Sequence, residues 1–235
     1  NQEIEAQNVA TSGWKFTSST SFVTMSFWAR SSLAGTYNVL LKSHDGTAQG
    51  FSSAFTLVAD TWKKISVTIP GNSSITITND NGIGLRCYVV PHLGTNYTTS
   101  GHTSDAWQTL DNNNLVPDYA QNWSNTASAT FDLTGWQVEV GQVSTPYPHE
   151  DIGTTLRKCK RYYEFLDTTV YPTKYSTVSL GNFVWTEQKR VQPTLTVDTN
   201  AGSQSLYPEG TSGGYIYKTS ETTNPIDGMR GAAEL

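Results

Sequence analysis

Along most of the chain, hydrophobic positions alternate with polar ones at a period of two, the spacing of a half-buried β-strand. In FVTMSFWAR (22–30), Val23, Met25, Phe27 and Ala29 share one parity, and Phe22, Thr24, Ser26 and Trp28 share the other; the first set makes the better core face. TYNVLLKS starts after Gly35, and FSSAFTLVA follows a turn centred on Asp45-Gly46. WKKISVTI follows Asp60-Thr61 and mixes its parities at the start, Trp62 against Ile65, Val67 and Ile69. ITIT (75–78) lies between the turn signals Pro70-Gly71-Asn72 and Asn79–Gly82, and IGLRCYVVP (83–91) is continuous enough to be a strand covered on both faces. Short strands bounded by Gly, Pro, Asn or Asp, at spacings of about ten residues, predict an all-β fold: an antiparallel two-sheet sandwich of jelly-roll type. Trp14, Trp28, Trp62, Trp136 and Trp185 lie in or beside strand patterns and are expected in cores.

The period changes once, in LTGWQVEVGQVSTPYPHEDIGTTLRKCKRYYEFL (133–166). Leu133, Trp136, Val138 and Val140 form a closing strand, and Gly141, Pro146 and Pro148 stop it. Ile152, Leu156, Cys159, Tyr163 and Leu166 then recur at helical spacing. The pattern divides the chain into a jelly-roll sandwich (1–150), a connecting helix (151–166) and a small C-terminal β domain (167–235). Strands are expected there at 178–185, 193–198 and 212–219, with a weak final segment at 226–235. Few aliphatic residues make this last domain a marginal core, one that should lean on other surfaces or on copies of itself. Residues 92–130 carry little periodicity yet hold Tyr97, Trp107, Tyr119 and Trp123, which argues for a functional loop over a disordered one.

Composition narrows the partners. A formal net charge of −5 excludes a nucleic-acid partner in the ordinary sense, since phosphate binding needs a basic surface. The basic run Arg157, Lys158, Lys160, Arg161 interleaves with the apolar stripe, so its stems should cover apolar surface and its heads face water, Glu150, Asp151 or Glu164. No apolar run is long enough for membrane insertion. The two cysteines, Cys87 and Cys159, are expected as buried thiols, and the four histidines are scattered without metal-ligand spacing. Asp45 and Asp80 could serve a calcium ion, but Asx-turns explain them without one. The sequons at Asn72, Asn96 and Asn122 fall within chance in a chain so rich in Asn, Ser and Thr. The chain opens on polar NQEIEAQNVA, which reads as the C-terminal part of something longer or processed.

The turning stretch resembles a pattern of the C-terminal regions of tailed-bacteriophage and related viral fibre proteins: a TGxQ(L/V)EVG strand, a TP(F/Y) turn, and a helix ending CxRYY. Its counterparts are Thr134, Gly135, Gln137, Val138, Glu139, Val140 and Gly141, then Thr145-Pro146-Tyr147, then Cys159, Arg161, Tyr162 and Tyr163. SFWAR (26–30), TWKKISVTIPG (61–71), KRVQPTLTV and the final AAEL resemble other segments of that family, so the likeness covers most of the chain. It implies a virion fibre or appendage whose front half is a carbohydrate-binding-module-like jelly roll. It also implies a homotrimer and contacts with other virion structural proteins. The shared motifs are framework positions and name no ligand residues.

For a sugar, flat aromatic faces and side-chain amides or carboxylates are the expected tools. Tyr97, Asp105, Trp107, Asn113, Asp118, Tyr119 and Trp123 supply both within 92–130 and are the candidate glycan-binding residues, at one end of the sandwich. Trp107 and Trp123 could instead plug that end. No catalytic residue, metal or cofactor is assigned: no carboxylate pair has a motif, and no serine has a G-x-S-x-G context or an evident histidine partner. The expected function is recognition of host cell-surface glycans by a virion fibre. A purely structural head-fibre, collar or decoration protein is the alternative, with polysaccharide depolymerase behind it.

Overall fold

The computed structural model describes residues 1–166, 173–175, 178–197, 204–218 and 229–233, and the predicted final segment 226–235 lies partly outside them. It divides into two units, Asn1–Pro148 and His149–Leu235. In the first, the two-residue period becomes two facing antiparallel sheets. The strands are β1 (Gln2–Glu5), β2 (Phe22–Ser31), β3 (Gly35–Ser43), β4 (Gln49–Leu57), β5 (Lys63–Pro70), β6 (Ile83–Val90), β7 (Trp107–Thr109) and β8 (Phe131–Val140). One sheet runs β1-β6-β3-β4-β7 and the other β5-β2-β8. The chain changes sheet between β1 and β2, β2 and β3, β4 and β5, β5 and β6, and β7 and β8, in the manner of a jelly roll.

Parity decides what the sheets enclose. Val23, Met25, Phe27 and Ala29 of β2 and Ile65, Val67 and Ile69 of β5 meet Tyr37, Val39, Leu41, Phe51, Phe55, Leu85 and Cys87 of the larger sheet. Phe27 stacks on Trp136 at 5.4 Å and meets the edge of Phe55 at 5.6 Å. Burying each such side chain stabilises the fold by roughly 1.5–3 kcal/mol. Burial pushes the Cys87 thiol up to about 12, so it stays a protonated core group.

The same parity corrects two tryptophans. Trp28 belongs with Thr24 and Ser26, Trp62 precedes the register of β5, and both stand exposed on the outer face of the three-stranded sheet. Residues 75–78 make only an isolated bridge, Asp45 to Thr76, because β1 already occupies the edge of β6 that they would need. Ile75 and Ile77 are buried as pegs instead. Asp45 accepts from the Thr78 amide at 2.8 Å, and Asp80 from the Gly82 amide at 2.8 Å, as turn carboxylates do.

The second unit holds α2 (Ile152–Lys160; α1, Ala6–Ala10, lies in the first unit), β9 (Tyr163–Leu166), β10 (Thr173–Tyr175), β11 (Val178–Val184), β12 (Thr194–Val197), β13 (Gln204–Glu209), β14 (Gly213–Lys218) and β15 (Met229–Ala232). Its sheets run β10-β11-β14-β13 and β12-β15-β9, and Pro208 sits on the edge strand β13, where a missing donor costs nothing. Asp151 caps α2 by accepting from the Thr154 amide and hydroxyl. The helix ends at Lys160, short of the predicted 166, because Tyr163–Leu166 satisfies the two-residue period equally well. Glu164 and Leu166 turn in, Tyr163 and Phe165 turn out, and the stretch pairs with β15. The predicted apolar stripe of the helix is exposed at Ile152, Leu156 and Cys159, so only one of the two thiols is buried. Lys158 pairs with Glu150 and Lys160 with Glu164, as the charge pattern suggested.

Candidate functional site

Residues 92–130 form a layer over the outer face of the five-stranded sheet. Val39 and Leu41 point into the sandwich, so Leu40 points out, and there it clusters with Val90, Leu115 and Val116 beside Tyr88, Leu110 and Tyr119. The layer is tied to the sheet by β7, which pairs Phe51 with Trp107 and Gln49 with Thr109. It is tied to itself by a parallel bridge of Thr98 with Val116 and a bond from the Leu115 amide to the Tyr97 carbonyl at 2.9 Å.

A part-buried relay pins the layer down. Ser52 Oγ lies 2.5 Å from His102 Nε2, and His102 Nδ1 lies 2.7 Å from Asn114 Oδ1. With the ring neutral and its proton on Nδ1, His102 donates to Asn114 and accepts from the Ser52 hydroxyl. A serine partnered by a histidine was not expected from the sequence, since the three residues share no spacing signal. The arrangement has the order of a nucleophile, base and orienting group. Ser52, however, is buried on β4 under the layer, and its carbonyl accepts the Asp105 amide at 2.7 Å. In that position the relay acts as a clasp between sheet and layer.

The candidate glycan residues separate into groups. Trp107 packs on Phe51 with ring centroids 5.6 Å apart, and its indole donates to the Pro70 carbonyl at 2.6 Å. Trp123, in a single 3-10 turn at Trp123–Asn125, packs against the same core, its buried Nε1 meeting no partner among the described residues. These two rings close the sandwich. Tyr97 and Asn113 are exposed and stand apart from the cleft described next. Asp105, held at φ +60°, borders a groove along β4 and β5 with Thr36, Ser53 and Lys63.

Asp118 and Tyr119 come together. They line a cleft of about 330 Å³ with His92, Thr98, Asn122 and Asn125. Asp118 accepts from the Thr98 hydroxyl at 2.6 Å, which leaves its remaining lone pairs available. The Tyr119 hydroxyl donates to the Val90 carbonyl at 3.1 Å, and its ring tilts against His92 at 5.2 Å. Burial pushes this phenol up to about 12, which keeps it a neutral donor. His92 Nδ1 is buried and meets no partner among the described residues. The cleft therefore offers a tyrosine ring, a carboxylate and the carboxamides of Asn122 and Asn125, while that of Gln121 is bonded to the Thr36 backbone. His92, Asn122 and Asn125 were not singled out from the sequence; they gain meaning only once the layer folds back on itself.

Comparison of the chain with protein-family models, with curated proteins and with solved structures finds no match.

Proposed function

We propose that this chain is a virion fibre or appendage protein that recognises a host cell-surface glycan, and that the cleft lined by Asp118, Tyr119, Asn122 and Asn125 holds the sugar. What carries the reading is the chemistry of that cleft. An aromatic ring suits a pyranose C–H patch, while side-chain amides and a partly free carboxylate suit hydroxyls. A volume of about 330 Å³ suits one or two sugar rings. The virion assignment rests on the fibre-like pattern at 133–166. That pattern has a physical basis here, since Gln137 and Glu139 of the strand both bond Thr145 of the turn.

The test is a glycan array of host cell-surface saccharides, probed with the wild type and with Asn122→Ala and Asn125→Ala, both on exposed or partly exposed loop positions. Loss of the wild-type signal in these variants, with unchanged circular dichroism, supports the cleft; retained binding rejects it. Trp107→Ala and Trp123→Ala are poor probes, since each removes a core ring. Incubating the protein with host polysaccharide and sizing the chains decides the depolymerase alternative.

A second reading, a structural virion protein that assembles with copies of itself or with other virion proteins, is favoured by one observation. The outer face of β11-β14-β13 exposes Leu180, Val184 and Tyr207 beside Tyr215. Self-association through this face, as in a homotrimeric fibre, is compatible with either reading.

A further inference from the structure

The outer face of the three-stranded sheet carries a feature the cleft does not use. Antiparallel register sets its residues in rows across β5, β2 and β8. Lys64, Trp28 and Thr134 form one row, Ser66, Ser26 and Gln137 the next, and Thr68, Thr24 and Glu139 a third. Above the first of these, Arg30 pairs with Asp132, and its guanidinium lies 5.4 Å from the centre of the Trp62 ring. Trp28 and Trp62 are 44% and 42% exposed. Diagonal neighbours of this kind stand about 7–8 Å apart, a spacing that two indoles and one sugar ring can share.

The lower half of the face is covered by the chain's own next segment. Thr24 donates to the Gly141 carbonyl at 2.8 Å, Thr68 to the Gln142 carbonyl at 3.1 Å, and Thr145 is held by Gln137 and Glu139. The upper half is open. Its boundary is a bulge in β8, where Gly135 and Trp136 oppose the single residue Phe27. Gly135 adopts φ +61°, which suits glycine, and the bulge turns Trp136 inward onto Phe27. Beside Trp28 the strand thus presents a residue without a side chain, so that flank of the indole is left clear.

We infer that this open half is a second binding platform, for a neutral saccharide. The apolar groups that the register sets on it are two flat indoles, whereas a protein interface core is more broadly apolar. Its strongest charges are already matched. Arg30 Nε and Nη2 both bond Asp132 Oδ2, at 2.9 and 2.8 Å, which leaves Oδ1 and the Nη1 edge as an adjacent acceptor and donor. Such a pair suits neighbouring hydroxyls and gives an anion no net attraction beyond Lys64. Trp62, gripped by the guanidinium, is fixed as a platform, while Trp28 has an open edge. The site is independent of the cleft at Asp118 and Tyr119, so either can fail alone.

The test uses the full chain and a panel of neutral hexose oligosaccharides, read by tryptophan fluorescence and calorimetric titration. Trp28→Ala, Trp62→Ala and Arg30→Met should each weaken binding of the responding saccharide by about tenfold or more. Asn122→Ala should leave this component unchanged. Circular dichroism identifies any variant that fails to fold, and Trp28→Phe, which keeps a flat ring, should retain part of the affinity. The proposal is overturned if no member of the panel binds the wild type, or if binding survives both tryptophan variants. It is also overturned if those variants change the sedimentation coefficient and not saccharide binding, which would make the face a subunit interface.

Discussion

The second unit contains one side-chain group whose energetics can be argued almost alone. Lys189 is fully buried, and its ammonium bonds Glu164 at 2.7 Å and the carbonyls of Lys160 at 2.6 Å and Glu187 at 3.1 Å, over the Trp185 ring at 4.8 Å. Glu164 also accepts the Thr186 amide at 3.1 Å. Every donor of the ammonium is spent, so removing one partner strands a buried charge. Glu164→Leu should cost about 3–5 kcal/mol, and the double variant with Lys189→Met should recover most of that, in a urea-denaturation cycle. Burial raises the Glu164 carboxyl, but the Lys189 and Thr186 hydrogen bonds outweigh it and hold the group below its usual 4.5. A depressed carboxyl contributes stability above its unfolded value and loses it as pH falls through the folded one. Unfolding measured against pH should therefore show this unit weakening below about pH 4.5, with a shallower fall in Glu164→Gln. The His102 clasp makes a gentler prediction. His102→Ala leaves Ser52 and Asn114 short of partners and should cost about 1–3 kcal/mol, with hydrogen exchange rising across 99–114.

At the level of elements, strand β8 and the turn after it form a unit that explains the most informative motif in the chain. Gln137 and Glu139 face outward and clasp Thr145, while Trp136 and Val138 face the core. Desolvation raises the Glu139 carboxyl, but the Thr145 hydroxyl and amide, Gln137 and Lys64 together outweigh it and lower the group. The clasp is thus present above the usual glutamate range and is lost as pH falls below it. Limited proteolysis within 141–148 should accelerate on acidification, and Thr145→Val should bring the fast rate to neutral pH. Gly135→Ala should cost about 1 kcal/mol through its positive φ and set a methyl in van der Waals contact with Trp28, which a shift in thermal midpoint and in tryptophan emission would register. The alternation in β2, β4 and β5 was legible because each has one core face and one largely polar face. The short helix was misjudged at its end because YEFL fits two periods at once, and only its partner β15 decides between them. ITIT had the right pattern and no free edge to pair with. The site was less legible than the fold. Asp118 and Tyr119 are adjacent in sequence and line one cleft, but His92 and Asn125 reach it through backbone reversals that no spacing encodes. Trp107 and Trp123 were attractive as platforms because a loop aromatic and a core aromatic look alike until the loop is folded onto its sheet.

At the scale of the molecule, the two units differ in how well each provides for itself. The first encloses a continuous core running from Ala6 to Cys87, with Trp107, Trp123 and Trp136 packed against it. Among the described residues of the second, the buried apolar cluster is Leu166, Phe183, Trp185 and Ile216, with Leu195 and Leu206 at its margin. A core that small seldom stabilises a domain without a further staple, and the described cysteines form no disulfide. The apolar surface that could make up the difference is on the outside. Val184 is 72% exposed, Leu180 and Tyr207 are exposed with it, and Tyr207 stacks on Tyr215 at 5.0 Å along the same face. Covering that face with copies of the chain would add burial where the unit lacks it and would make stability depend on concentration. The fragment 1–148 should therefore unfold cooperatively at a midpoint independent of protein concentration. The fragment 149–235 should gain stability as it is concentrated, and sedimentation velocity should show it associated. Val184→Ser with Tyr207→Ser should abolish both the association and the concentration dependence, since neither side chain belongs to the unit's own core. A monomeric 149–235 with a fixed midpoint would locate its stability elsewhere, and a fibre built on this chain would then need contacts outside the second unit.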